Sequence, residues 1–128
     1  MKTKYINVGD NDWGILVCYD YNIYDYDDMW AIMRSFGMTD KDVRKSMKVL
    51  ENINTGMTIS NENIRMSAVF ISEAESESEW WNTIIHECKH VADTIINYYD
   101  VVWDSEEAAY LTGFLTKKMV ELIATPCY

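Results

Sequence analysis

The two histidines of the chain, His86 and His90, lie in one five-residue string in which Glu87 follows the first of them. This spacing is the H-E-x-x-H pattern of zinc metallopeptidases. Residues four apart lie one above the other on a helix face, so two imidazoles can bind one metal ion. Glu87 is rotated by about 100° around the helix axis, where its carboxylate could act as general base toward a water molecule that the metal activates. Two surface histidines on a helix are the alternative, and we favour zinc.

A third zinc ligand must come from another residue type, because the chain has no further histidine. A catalytic zinc takes three protein ligands, so a carboxylate completes the site unless a cysteine does. Glu106 and Glu107 open the last predicted helix, and Glu107 has the capping-box spacing from Asp104, which gives it a structural role. Glu106 is in line with the small residues Ala109 and Gly113, which would let this face approach the histidine helix. We therefore predict Glu106 as the ligand and Glu107 as its alternative; for either, a solvated first-turn glutamate is the competing interpretation.

Two further side chains have spacings that suit a zinc site. Asp93 lies one turn past His90, and metal-bound histidines usually donate their other ring N–H to a carboxylate or carbonyl. Tyr110 lies one turn beyond Glu106, where its hydroxyl could stabilise an oxyanion and so take part in catalysis. A surface aspartate and a packing tyrosine are the respective alternatives.

The elements that must position these residues can be predicted from the hydrophobic pattern. It indicates two strands, two short helices, two strands and two long helices in that order. Thr39 is predicted to cap the second short helix, and Ser76 and Glu79 match a capping box at the start of the histidine helix. We therefore predict one α+β domain over residues 1–128, with a small twisted sheet packed on the histidine helix and a C-terminal helix after it. The predicted strands cover 5–8, 13–21, 58–60 and 66–72, and the predicted helices 27–36, 39–56, 80–98 and 105–124.

Composition excludes several classes of partner. The net charge of −10 argues against nucleic acid, which needs a basic surface. No apolar run approaches the length of a membrane span and the first residues lack the apolar segment of a signal peptide, so we expect a cytoplasmic protein without a membrane partner. The cysteines, Cys18, Cys88 and Cys127, are odd in number and lack a disulfide-framework spacing, which predicts reduced thiols.

The last two predicted helices resemble the gluzincin branch of the zincin-like metallopeptidases. The H-E-x-x-H string is followed by E-x-x-A-Y-x-x-G from Glu106 to Gly113, which is similar to small zincins encoded by bacteriophages and prophages. The resemblance covers residues 66–119 and implies a minimal zincin-like fold, Zn²⁺ as cofactor and a peptide or protein substrate. It also implies that 66–72 is the sheet edge lining the cleft, where an extended peptide could pair. Tyr110 is a departure, since larger gluzincins often carry aspartate there.

Three functions are compatible with these residues. The first is a zinc-dependent peptidase in which His86, His90 and Glu106 hold the ion and Glu87 moves the proton. The second is a non-enzymatic structural or interaction protein on a zincin scaffold, for example a phage particle component, and the many aromatic residues suit an interface. The third is a structural zinc site, which would need a fourth ligand such as Glu107 or a cysteine. We predict the peptidase.

Overall fold

The strands and helices follow the predicted order in a computed structural model that describes residues 1–9, 12–99 and 105–123. The chain forms an α+β domain, as predicted. Within the described ranges, no helix combines the length and the low polarity needed to cross a membrane. The strands are β1 (Lys2–Val8), β2 (Trp13–Tyr19), β3 (Gly56–Asn61) and β4 (Met66–Ile71), and the helices are α1 (Tyr26–Ser35), α2 (Asp40–Leu50), α3 (Glu77–Tyr98) and α4 (Ser105–Ile123), with a 3-10 turn at Ile23–Asp25.

The four strands form one sheet in the order β1-β2-β4-β3. Strands β2 and β4 are parallel, and the other two pairs are antiparallel. The prediction that 66–72 forms the sheet edge is therefore wrong, because β4 lies between β2 and β3. The burial explains this position: five of the six residues of β4 are buried, as an interior strand requires, whereas β3 is half-buried throughout. The edge strand beside α3 is β3.

Helices cover both faces of the sheet. Alternate residues of a strand point to opposite faces. Ile15 and Val17 of β2 therefore pack with α3 and α4, while Cys18 packs with α1 and α2. The same alternation turns Met57 and Ile59 of β3 toward α1 and α2. It follows that the intervening residues of β3 face α3.

Thr39 and Ser76 cap the N-termini of α2 and α3, as the sequence predicts. The Thr39 hydroxyl accepts a hydrogen bond from the Asp42 N–H at 3.2 Å, and the Ser76 hydroxyl accepts one from the Glu79 N–H at 3.2 Å. Each bond satisfies one of the free N–H groups at a helix start. Both predicted caps are confirmed, and α3 begins three residues earlier than predicted. The predicted cap at Asp104 lies outside the described residues.

Helix α2 is shorter than predicted, since it ends at Leu50 rather than near residue 56. Asn54 adopts a left-handed backbone conformation with φ 62°. Its N–H donates to the Glu73 carbonyl at 2.8 Å, which ties the segment after α2 to the segment that follows β4. This tertiary hydrogen bond competes with helix continuation.

Two of the three cysteines are free thiols in the core, as predicted. Burial raises the pKa of Cys18 to about 12 and that of Cys88 to about 11, so neither thiol ionises near neutral pH. The Cys88 sulfur lies 3.7 Å from the Met119 sulfur and so points toward α4 rather than toward the histidines. Since zinc binds the thiolate, neither cysteine is prepared as a ligand. Cys127 lies outside the described residues.

Candidate metal centre

Helix α3 places both histidines on its exposed side because its opposite side is held in the core. Ile84, Cys88 and Val91 are fully buried between the sheet and α4. His86 and His90 are both exposed, one turn apart, beside strand β3. Their Nε2 atoms are 3.1 Å apart, and their ring centroids are 4.8 Å apart. The helix thus brings two imidazole nitrogens to one point at the surface.

This nitrogen pair fits a zinc ion. Zinc binds histidine nitrogens at about 2.0–2.1 Å with tetrahedral angles, which separates two such nitrogens by about 3.3 Å. The observed 3.1 Å between the His86 and His90 Nε2 atoms is close to that value. The ligand atoms of His86, Glu87 and His90 all lie within 4.8 Å of one another. Of the side chains that the structure describes, no other three His, Cys, Asp or Glu residues form such a group.

Glu87 is buried, in contrast to the two histidines around it. Its side chain is 2% exposed, and one carboxylate oxygen accepts a hydrogen bond from the Thr58 hydroxyl at 3.2 Å. Burial raises the pKa of Glu87 above its usual value, while the hydrogen bond from Thr58 and the charges of His86 and His90 oppose part of that rise. A raised pKa makes the carboxylate a better proton acceptor. Its position and its environment both suit the predicted general base.

Strand β3 makes room for the Glu87 side chain at Gly56. A Cβ atom at position 56 would lie 2.8 Å from the Thr83 Cγ2 atom, 3.0 Å from the Glu87 Cγ atom and 3.0 Å from the Phe70 carbonyl oxygen. These distances are too short for ordinary contacts, so a side chain here would displace α3 or the Glu87 stem. Gly56 therefore lets the edge strand approach the helix closely enough for Thr58 to reach Glu87.

The histidines line an open cavity of about 410 Å³ between α3 and β3. Sequence reasoning assigned none of the β3 residues to the site. The signal was present in the alternation of 56–60, where Gly56, Thr58 and Ser60 are small or polar and the residues between them are apolar. The cavity lining comprises Gly56, Met57, Thr58 and Ser60 of β3 and His86, Glu87, His90, Asp93, Thr94 and Asn97 of α3.

Of the other predicted site residues, only Asp93 lines this cavity. Asp93 forms an ion pair with Lys89. Glu106 and Glu107 are exposed in the first turn of α4, and neither belongs to the compact group of ligand atoms around the histidines. Tyr110 is 75% exposed and does not line the cavity. The assignments of Glu106, Glu107 and Tyr110 to the zinc site stay predictions.

Comparison with known proteins adds no relative: no family description, no curated protein and no solved structure matches the chain.

Proposed function

We propose that the chain is a zinc-dependent peptidase. The observation that carries this proposal is the 3.1 Å separation of the His86 and His90 Nε2 atoms, with a buried carboxylate beside them in an open cavity. His86, His90 and the predicted Glu106 would hold the ion. Zinc, when bound, would polarise the peptide carbonyl and acidify water.

Glu87 would move the proton in this reaction. Its carboxylate would accept a proton from the attacking water and later give it to the leaving amine. The Thr58 hydroxyl fixes one oxygen of the carboxylate at 3.2 Å, which leaves the other oxygen for the water. Because Glu87 is buried, its orientation toward the cavity is restricted by its surroundings. Burial and the hydrogen bond from Thr58 support the role of general base and distinguish Glu87 from an ordinary surface glutamate.

Strand β3 is the structural feature that favours an extended peptide as substrate. It is the terminal strand of the sheet, and among the residues described no strand covers its outer edge. An extended peptide can add to such an edge through main-chain hydrogen bonds. Thr58 of β3 is hydrogen-bonded to Glu87, so a peptide on this edge would run beside the predicted base. The acidic chain, with net charge −10, favours peptides that carry basic residues.

The test is cleavage of a peptide library by the zinc-loaded protein, with basic peptides included and products identified by mass spectrometry. We expect cleavage that 1,10-phenanthroline abolishes and added zinc restores, while the non-chelating 1,7 isomer leaves it unchanged. Cleavage that persists under chelation would contradict a zinc mechanism. A zinc-loaded protein that cleaves no peptide would contradict the peptidase.

A further inference from the structure

An exposed stripe runs along the outer side of α4 and consists of Glu107, Tyr110, Phe114, Lys117 and Glu121. These residues are three and four positions apart, the spacing that keeps side chains on one helix face. All five are exposed. Two large aromatic side chains stand at its middle, Tyr110 at 75% exposure and Phe114 at 40%. Apolar residues at this spacing lie on one helix face, where they can contact a second helix.

An apolar groove of about 950 Å³ lies beside this stripe, between α3 and α4. Trp81 and Ile85 of α3 form one wall, and Ile85 is 48% exposed. Ala109 and Gly113 of α4 form part of the other wall, and a Cβ at Gly113 would meet no atom within 4 Å. The small residues leave the groove open for side chains of an approaching helix.

The charges of the stripe are complementary to those of a second, antiparallel copy of the same stripe. Glu107 lies five residues before Thr112 and Lys117 lies five residues after it. In an antiparallel pair of α4 helices that cross at the level of Thr112, each Glu107 would face Lys117 of the second copy. Tyr110 and Phe114, two residues on either side of Thr112, would face one another in the same way. A two-fold axis repeats each contact, as an isologous interface requires.

The local charge also favours this face for contact between two acidic chains. The chain carries a net charge of −10, whereas the charged residues of the stripe are Glu107, Lys117 and Glu121, a net charge of only −1. Two copies that meet here avoid the repulsion that most of their surface would produce. We propose that the chain forms a two-fold symmetric dimer in which the α4 stripes of the two copies pack against each other in antiparallel orientation, beside the α3–α4 grooves.

The proposed dimer leaves the cavity around His86 and His90 accessible, and it assigns Glu107 and Tyr110 to the interface rather than to the zinc site. Neither the stripe nor the groove shares a residue with the lining of the histidine cavity. The dimer can therefore be tested by mass alone, and its failure would leave the proposed peptidase untouched.

The test is sedimentation equilibrium on the full chain over a wide concentration series. We expect a mass of twice 15.0 kDa that dissociates on dilution. Phe114→Glu should raise the dimer dissociation constant by about 30-fold or more, as for a central aromatic of an interface. The matched control is Ile23→Glu, which changes a side chain that is 67% exposed elsewhere on the molecule and should leave the dimer intact.

A charge reversal tests the antiparallel arrangement itself. Lys117→Glu would place two glutamates opposite each other at both ends of the pair and should weaken the dimer. Adding Glu107→Lys to that variant should restore it, while the control Lys45→Glu on α2 should have no effect. A monomer at every concentration would overturn the proposal. A dimer that neither Phe114→Glu nor Lys117→Glu weakens would overturn it as well.

Discussion

Replacing Glu87 by Gln is expected to lower peptide hydrolysis by about 100-fold to 10,000-fold, the range that a general acid–base group contributes. Gln has nearly the shape of Glu and can still accept the hydrogen bond from Thr58, but it cannot take a proton from water. Because the substitution removes a buried charge without opening a cavity, the fold and the zinc content should be retained. Turnover with the zinc-loaded variant measures the loss.

The matched control is Glu77→Gln, the same substitution on an exposed residue in the first turn of α3. We expect normal turnover from that variant. Hydrolysis retained by Glu87→Gln would contradict the role of general base. Loss of zinc from Glu87→Gln would also contradict the role of general base, because it would show that Glu87 is a zinc ligand. The zinc content of this variant should therefore be measured, since the ligand atoms of His86, Glu87 and His90 lie within 4.8 Å of one another.

Replacing Trp13 by Ala is expected to reduce the free energy of unfolding by about 3–5 kcal/mol, a large part of the roughly 5–15 kcal/mol that a domain has. Trp13 is 1% exposed and lies in the core between the sheet and the last two helices. Its indole N–H donates to the Ser67 hydroxyl at 3.0 Å, and its ring lies edge-on to Tyr98 at 5.3 Å. The substitution would leave a cavity and remove one of the contacts made by the end of α3.

Chemical denaturation of Trp13→Ala and of a control variant, Trp30→Ala, measures the loss of unfolding free energy. Trp30→Ala is the control, because Trp30 is only half-buried beside Arg44 and should cost about 1–2 kcal/mol. A loss below about 1 kcal/mol for Trp13→Ala would contradict the packing described for this core.

Local signals in the sequence predicted the elements that carry the site. Thr39 and Ser76 cap the helices that they were expected to cap, because a cap depends on neighbouring backbone groups alone. The i, i+4 spacing of His86 and His90 likewise needs only a helix to bring their nitrogens together.

The order of the strands could not be predicted from such signals. Strand order depends on pairing between distant segments, and a resemblance placed 66–72 at the edge that β3 occupies. For the same reason the contribution of Gly56 and Thr58 to the site was missed: their role comes from contact with Glu87, about thirty residues away.

The position of Glu106 relative to the histidines depends on how α3 and α4 pack. The spacing of Ala109 and Gly113 predicted that this face of α4 approaches α3, and both residues line the apolar groove between the two helices. Tyr110, predicted to stabilise an oxyanion, is 75% exposed, and its role at the metal stays a prediction. A helical period identifies which residues share a face but does not determine the partner of that face.

The most direct test of the zinc site is elemental analysis of the chain purified without a histidine tag and without chelators. We predict about one zinc per chain, lost in His90→Ala and in Glu106→Ala while both variants stay folded by circular dichroism. If His90→Ala loses zinc and Glu106→Ala retains it, the third ligand is a residue other than Glu106. No zinc in the folded wild-type protein, even after zinc is added back, would contradict the zinc site and the peptidase that depends on it.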